Sequence, residues 1–231
     1  MNNRKENLLK VKDQIADAAV RAGRNPDDIT LLAVSKVFGI EDIREVYNLG
    51  QRDFGESRAQ ELRDKAPQMP DDVIWHFIGP LQTNKIKYVI PNANLIHAVD
   101  SVKLARAIAE FGSSKEISPS ILVEINTSQE EQKHGFSPDE TIDKVLEIME
   151  IPGISVKGLM TMAPFTDHVF EIRESFSTLK KLHDRILQQK HNSNFNILSM
   201  GMSGDFEIAI EEGSTLVRIG TAIFGKRKRP A

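Results

Sequence analysis

Thr30-Leu31-Leu32-Ala33-Val34-Ser35-Lys36 is an apolar run that ends in a lysine. Aliphatic and small residues followed by a charge predict a strand buried on both faces. Lys36 sits where that strand leaves its sheet. In parallel α/β folds this carboxyl end is where ligands bind and chemistry occurs. Two readings of Lys36 follow. It is the first solvated residue after a core strand, or a partly desolvated amine of lowered pKa that can form a Schiff base with an aldehyde.

Outward from this run, the chain alternates short apolar stretches with amphipathic ones. Before it, Arg4 to Arg21 carries Leu8, Leu9, Val11, Ile15 and Ala19 as a helical stripe, stopped by Gly23 and Asn25-Pro26. After it, strands are predicted over 52–56, 73–78, 95–99, 120–125, 154–162, 196–200 and 215–219. Helices are predicted between them, over 41–49, from after 56 to about 65, 83–90, 101–111, from 137, 169–189 and 206–210. Ser137-Pro138-Asp139-Glu140 is a capping box with proline at the first helical position. The total is eight strands, each but the last followed by a helix. Strict alternation implies a parallel sheet. Eight units in 231 residues favour a closed (β/α)8 barrel of the TIM type, with an extra N-terminal helix, over an open doubly wound sheet. No linker or composition shift divides residues 1–231, so one domain is expected.

Composition narrows the function. Thirty basic and 33 acidic residues leave a net charge of −3, which gives no reason to expect nucleic acid or an anionic membrane as partner. The Lys226-Arg227-Lys228-Arg229 run reads as a solvated tail. With no cysteine, disulfides, thiolate catalysis and cysteine-based zinc sites are excluded. Met1 to Lys12 has no apolar core of a signal peptide, and no run approaches membrane-spanning length. A cytoplasmic location is expected.

The polar residues at predicted strand ends are Lys36, Glu56-Ser57, His76, Asp100, Asn126, Thr161-Met162, Met202-Ser203 and Arg218-Ile219-Gly220-Thr221. Ser199-Met200-Gly201-Met202-Ser203-Gly204-Asp205 joins strand 7 to a helix start. Its glycines allow close backbone approach, and Ser203 adds a hydroxyl beside free amides. Gly220-Thr221 offers the same pairing after strand 8. These glycines make tight turns, or they cradle a phosphate at the loops after strands 7 and 8, where such barrels commonly bind one. Arg218, inside the last strand, needs an acceptor. It pairs with Glu56, Glu124 or Glu207, or it faces a ligand ring nitrogen and, permanently cationic, keeps that nitrogen unprotonated. An aldehyde-reactive lysine, a phosphate cradle and such an arginine together describe pyridoxal 5′-phosphate.

The same segments carry a family resemblance. Ala33-Val34-Ser35-Lys36, Phe54-Gly55-Glu56, Trp75 to Gln82 with Asn84-Lys85, Gly158-Leu159-Met160, Leu198 to Ser203 with Asp205, and Val217 to Gly225 resemble the pyridoxal phosphate homeostasis family. Asn126, Glu130, Lys133 and Gly135 fit its loop after strand 5. The resemblance implies a barrel like the N-terminal domain of alanine racemase, with the cofactor on Lys36. Ser203, Gly220 and Thr221 would hold the phosphate, with Met202 beside them, and Arg218 would face the pyridine nitrogen. The family usually has asparagine where this chain has Ser57, a shorter side chain with one hydroxyl for any ligand contact.

Other residues read as structural. His76 is expected to be a hydrogen-bonded structural residue near the pocket. His97, His134, His168, His183 and His191 lack metal-ligand spacing. Met160, Met162, Met200 and Met202 are expected in packing. Tyr47 and Tyr88 fall on predicted helices, so no strand end offers a tyrosine. A racemase of this kind needs a second acid/base across the cofactor from the lysine. The expectation is therefore a monomeric protein that holds pyridoxal phosphate, with pyridoxal-dependent apoenzymes as recipients. A low-activity racemase or lyase is the alternative, and a phosphosugar enzyme using Lys36 a second.

Overall fold

The computed structural model describes residues 3–128, 130, 134–190 and 192–225. Lys133, His191 and the 226–229 basic run lie outside them. Eight parallel strands close in sequence order: β1 (Thr30–Val34), β2 (Asp53–Glu56), β3 (Ile74–Phe77), β4 (Leu95–Val99), β5 (Ser120–Glu124), β6 (Ser155–Met160), β7 (Ile197–Ser199) and β8 (Leu216–Ile219). The expected barrel is what forms. Closure runs through β8 and β1, where Leu32 pairs with Arg218 and Ala33 with Ile219.

Nine α-helices surround it among the described residues: α1 (Arg4–Arg21), α2 (Ile40–Asn48), α3 (Ala59–Lys65), α4 (Ile86–Val89), α5 (Val102–Ser113), α6 (Pro138–Met149), α7 (Val169–Gln189), α8 (Phe206–Glu211) and α9 (Thr221–Phe224). Helix α1 is the expected extra helix. Asn3 caps it by accepting from the Glu6 amide, and it packs on α8 and α9. Leu8, Val11, Ile15 and Ala19 are buried as their spacing predicts, but Leu9 is exposed.

Two differences from the expected elements matter. The 83–90 helix is a 3-10 turn over Thr83–Lys85 followed by the single turn of α4. The last strand is followed by a helix after all, the short α9. It begins at Gly220-Thr221, so the loop after β8 carries backbone amides toward the mouth of the barrel.

Alternation along the strands sorts two environments. Leu31, Ala33, Phe54, Trp75, Phe77, Val217 and Ile219 join the helices in the main core. Leu95, Ala98, Leu122 and Met160, with Ile197, form a smaller cluster inside the barrel, where a register irregularity in β4 between Ile96 and Val99 lets Ala98 join the inward set beside His97. The inward phase also brings His76, His97, Ser199 and Arg218 into the barrel, all buried.

Candidate functional site

Lys36 lies in the turn two residues after β1 ends at Val34 and is half-buried. The backbone around it is tightly held. Ser35 Oγ donates to Glu56 Oε1 at 2.7 Å, and Lys65 Nζ reaches the same oxygen at 2.8 Å. Burial raises the Glu56 pKa, and its contacts with Lys65 and Ser35 oppose that rise; its Oε2 has no partner among the described residues. Val37 adopts φ 68°, a left-handed conformation that costs a β-branched residue strain. Its amide donates to Glu61 Oε2 at 3.0 Å, and Glu61 is itself held by Lys65 at 2.9 Å. Thus Lys65, on α3, anchors both sides of the turn that presents Lys36.

The loop after β7 meets the loop after β8 next to this turn. Gly201 has φ 94°, and a Cβ there would lie 2.6 Å from Ala209 Cβ, so only glycine lets the loop lie this close to α8. Asp205 accepts from the Met202 amide at 2.5 Å, closing the turn, and Ser203 Oγ accepts from the Ala222 amide at 3.4 Å. The amides of Ser203, Gly204, Gly220 and Thr221 donate to no protein acceptor among the described residues. A Cβ on Gly220 would sit 3.4 Å from Val34 O, so this concavity of free amides abuts β1 two residues before Lys36. Free amides converging beside hydroxyls are suited to an anion.

Arg218 does not form the ion pairs weighed from sequence. Its Nη1 donates to Ser199 O at 2.8 Å and Ser199 Oγ at 2.7 Å, and Nη2 to Thr161 O at 2.9 Å. Burial pushes its pKa down to about 10 against the pull of Asp205 and Glu124, so it stays a cation at neutral pH. Carbonyls and a hydroxyl solvate the charge without neutralising it.

Of the sequence-predicted residues, Lys36, Ser57, Met202, Ser203 and Gly220 lie in the segments that follow β1, β2, β7 and β8, Thr221 begins α9, and Arg218 lies within β8, one residue before its end. Ser57 stands on the β2 side of Lys36, away from the anion cradle, with Gly79 packed against its carbonyl so closely that a Cβ would be 2.2 Å away. Met160 and Met200 are buried as expected, but Met162 and Met202 are 38 % and 39 % exposed. His76 lies within β3 and not at its carboxyl end. It is hydrogen-bonded, as expected, to His97 and Asp53. Sequence reasoning named Glu124 only as a candidate ion-pair partner of Arg218 and missed it as a group of the mouth. This carboxyl at the end of β5 is 5 % exposed, and burial, reinforced by Asp100, raises its pKa to about 7. A lone glutamate in an apolar strand was its only signal.

A parallel barrel with a lysine after its first strand and an anion cradle after its last two defines a class. Residues 7–228 match the family described as alanine racemase, N-terminal domain. A pyridoxal phosphate homeostasis protein of Aquifex aeolicus is 43% identical over 96% of this chain and 98% of its own. The solved structure of PipY from Synechococcus elongatus with PLP bound superposes with a TM-score of 0.80 at 31% identity, covering 91% of this chain and all of that one. An alanine racemase of Clostridium difficile shares the fold at TM-score 0.77 and 17% identity, and this chain covers 57% of it. The chain belongs to the alanine racemase N-terminal domain family and, within it, to the pyridoxal phosphate homeostasis proteins.

Proposed function

We propose that this chain binds pyridoxal 5′-phosphate in the carboxyl-end mouth of its barrel, holds it on Lys36 and passes it to pyridoxal-dependent apoenzymes, without sustained turnover of its own. The observation that carries this reading is the seam between β8 and β1. There a lysine on a strained, anchored turn adjoins four backbone amides that lack protein acceptors among the described residues. The residues present fit the cofactor, and the PLP-bound relative supports the assignment.

Bound, the cofactor would supply an aldehyde for a lysine amine and a pyridine ring able to take up electrons. The chain's residues do the rest. Lys36 is the attachment point. Ser203, Gly220 and Thr221 hold the phosphate, with Met202 beside the cradle and Ser57 on the opposite side of the lysine. Arg218 uses three bonds to fix its plane, which leaves two of its five N–H donors without a protein acceptor among the described residues. A permanent cation at the ring nitrogen keeps that nitrogen unprotonated and weakens the ring as an electron sink. Neither tyrosine serves as a second acid/base from a strand end. Tyr47, on α2, donates its hydroxyl to Asp72 at 2.6 Å, and Tyr88 lies on α4. The chain acts as one domain and as a monomer. Among the described residues no helix is long and apolar enough to cross a membrane, which is in keeping with work in the cytoplasm.

One spectrum tests the core of this. Purified protein with added cofactor should absorb as a lysine-bound pyridoxal and be trapped by borohydride on Lys36; Lys36→Ala should abolish both. Trapping on another lysine would displace the site, and a colourless protein that ignores the cofactor would remove it.

A further inference from the structure

The barrel interior holds a line of polar side chains that cofactor binding alone does not require. Arg218 Nη1 meets Ser199 Oγ at 2.7 Å; Ser199 Oγ meets His97 Nδ1 at 3.0 Å. His97 Nε2 meets His76 Nδ1 at 2.9 Å, and His76 Nε2 meets Asp53 Oδ1 at 3.1 Å. Ser199 and His97 are fully buried, and His76 is 4 % exposed. Asp53 and His76 line an open cavity of about 410 Å³ at the amino-terminal mouth, with Lys157, Asn94 and Asn196. The chain thus spans the barrel between its two mouths. Apolar side chains such as Leu95 and Leu122 fill neighbouring interior space. Polar groups in such a place cost free energy unless every partner is matched, so their retention calls for a role.

The hydrogen positions can be assigned by elimination. Arginine has no acceptor, so Arg218 must donate to Ser199. The single hydroxyl hydrogen is then available to His97 Nδ1. Its Nε2–H donates to His76 Nδ1, and the His76 Nε2–H donates to the Asp53 carboxylate. With both rings neutral and Asp53 ionised, this is the one arrangement that makes every bond. The reverse order needs an extra proton on His76 or Asp53. Burial, reinforced by His76 and Arg218, keeps His97 well below the usual histidine range, so its ring carries a single proton, which the ordered chain places on Nε2.

We propose that His97 is a positioning residue for Arg218: through Ser199 it fixes the guanidinium that would face the cofactor's ring nitrogen, and through His76 it is itself held by Asp53 at the far mouth. Without His97 the Ser199 hydroxyl can rotate, and one of the contacts that set the guanidinium plane is lost. This inference rests on the reading in which Arg218 meets the pyridine ring.

Two amide replacements separate positioning from space-filling. The amide of His97→Asn reaches the place of Nδ1 and can accept from Ser199, whereas that of His97→Gln reaches the place of Nε2 and serves only His76. His97→Gln should weaken pyridoxal phosphate binding about tenfold and shift the bound cofactor's absorption maximum, and His97→Asn should recover most of both. Ser199→Ala, which removes a single oxygen, should match His97→Gln and decides the matter if either amide variant fails to fold. Equal affinity and unchanged spectra for Ser199→Ala and wild type would overturn the proposal. Nitrogen-15 histidine spectra of the wild-type apoprotein supply a readout free of cofactor. Both rings should be Nε2–H tautomers, and an Nδ1–H tautomer at His97 would overturn the ordered chain. A wild-type protein that binds no pyridoxal phosphate yet shows these tautomers would sink the cofactor reading and leave the hydrogen-bond chain standing.

Discussion

Glu124 shows how one buried carboxyl shapes the behaviour of the mouth. Its pKa rises from 4.5 to about 7, so the native state holds the proton more tightly than the unfolded chain. Stability from this residue is then full below about pH 4.5 and is lost as pH rises through 7. That amounts to about 3 kcal/mol between pH 4 and 8. Apoprotein melts should therefore show Glu124→Gln flattening this decline, with the variant more stable than wild type at pH 8; parallel pH profiles would contradict the assignment. Lys65 makes the opposite case. Its partner Glu56 is fully buried, so Lys65→Met should strand that charge at a cost of about 3–5 kcal/mol, measured by denaturant unfolding at pH 8. Lys36 was legible because six neighbours in sequence define the strand whose end it marks. His97 was not. Its partners His76 and Ser199 are 21 and 102 positions away, and closure of the barrel alone makes them neighbours. Arg218 was half legible: its burial followed from Val217 and Ile219, but the carbonyls that receive it come from Thr161, just after β6, and from Ser199 at the end of β7.

The elements around the site divide in a similar way. Strands were read to within a residue or two because their apolar runs are bounded by charges or turn residues. The 83–90 segment and α9 were misread because a single helical turn leaves too few residues to show a 3.6 period. That mattered, since α9 begins at the cradle. Ser203→Ala and Thr221→Val should each weaken cofactor binding by about 1–3 kcal/mol, the range for removing one hydrogen bond to a charged group. Pyridoxal without its phosphate should bind far more weakly to wild type and lose little more in these variants. Equal titration midpoints for the two compounds would show that these loops hold no phosphate. In the sheet itself, Gly158 takes φ 153°, and a Cβ there would lie 1.8 Å from Ile197 O. Gly158→Ala should break the β6–β7 pairing and cost about 3 kcal/mol, with thermal unfolding as the measure.

At the scale of the whole molecule, the chain has the barrel of an alanine racemase and covers 57% of one such enzyme's length. Racemisation needs a proton removed from one face of a substrate carbon and returned to the other. Lys36 can serve one face. Among the described residues at the barrel mouth, Glu124 is the carboxyl raised to near neutrality, but the electrostatics around it discourage carbanion chemistry. Arg218 stays cationic, and in the proposed site it would face the pyridine nitrogen and leave it without the proton that makes the ring a strong sink. Holoprotein incubated with L-alanine in deuterated water should therefore incorporate little deuterium at the α-carbon and form no D-alanine above the free-cofactor background, as read by NMR and chiral chromatography. Turnover at ordinary enzyme rates, roughly 1–1000 per second, would restore the racemase. Activity that disappears in Glu124→Gln while cofactor binding survives would name Glu124 as the second acid/base. Cells lacking the chain should then need D-alanine; a carrier predicts a disturbed pyridoxal phosphate balance and no such requirement.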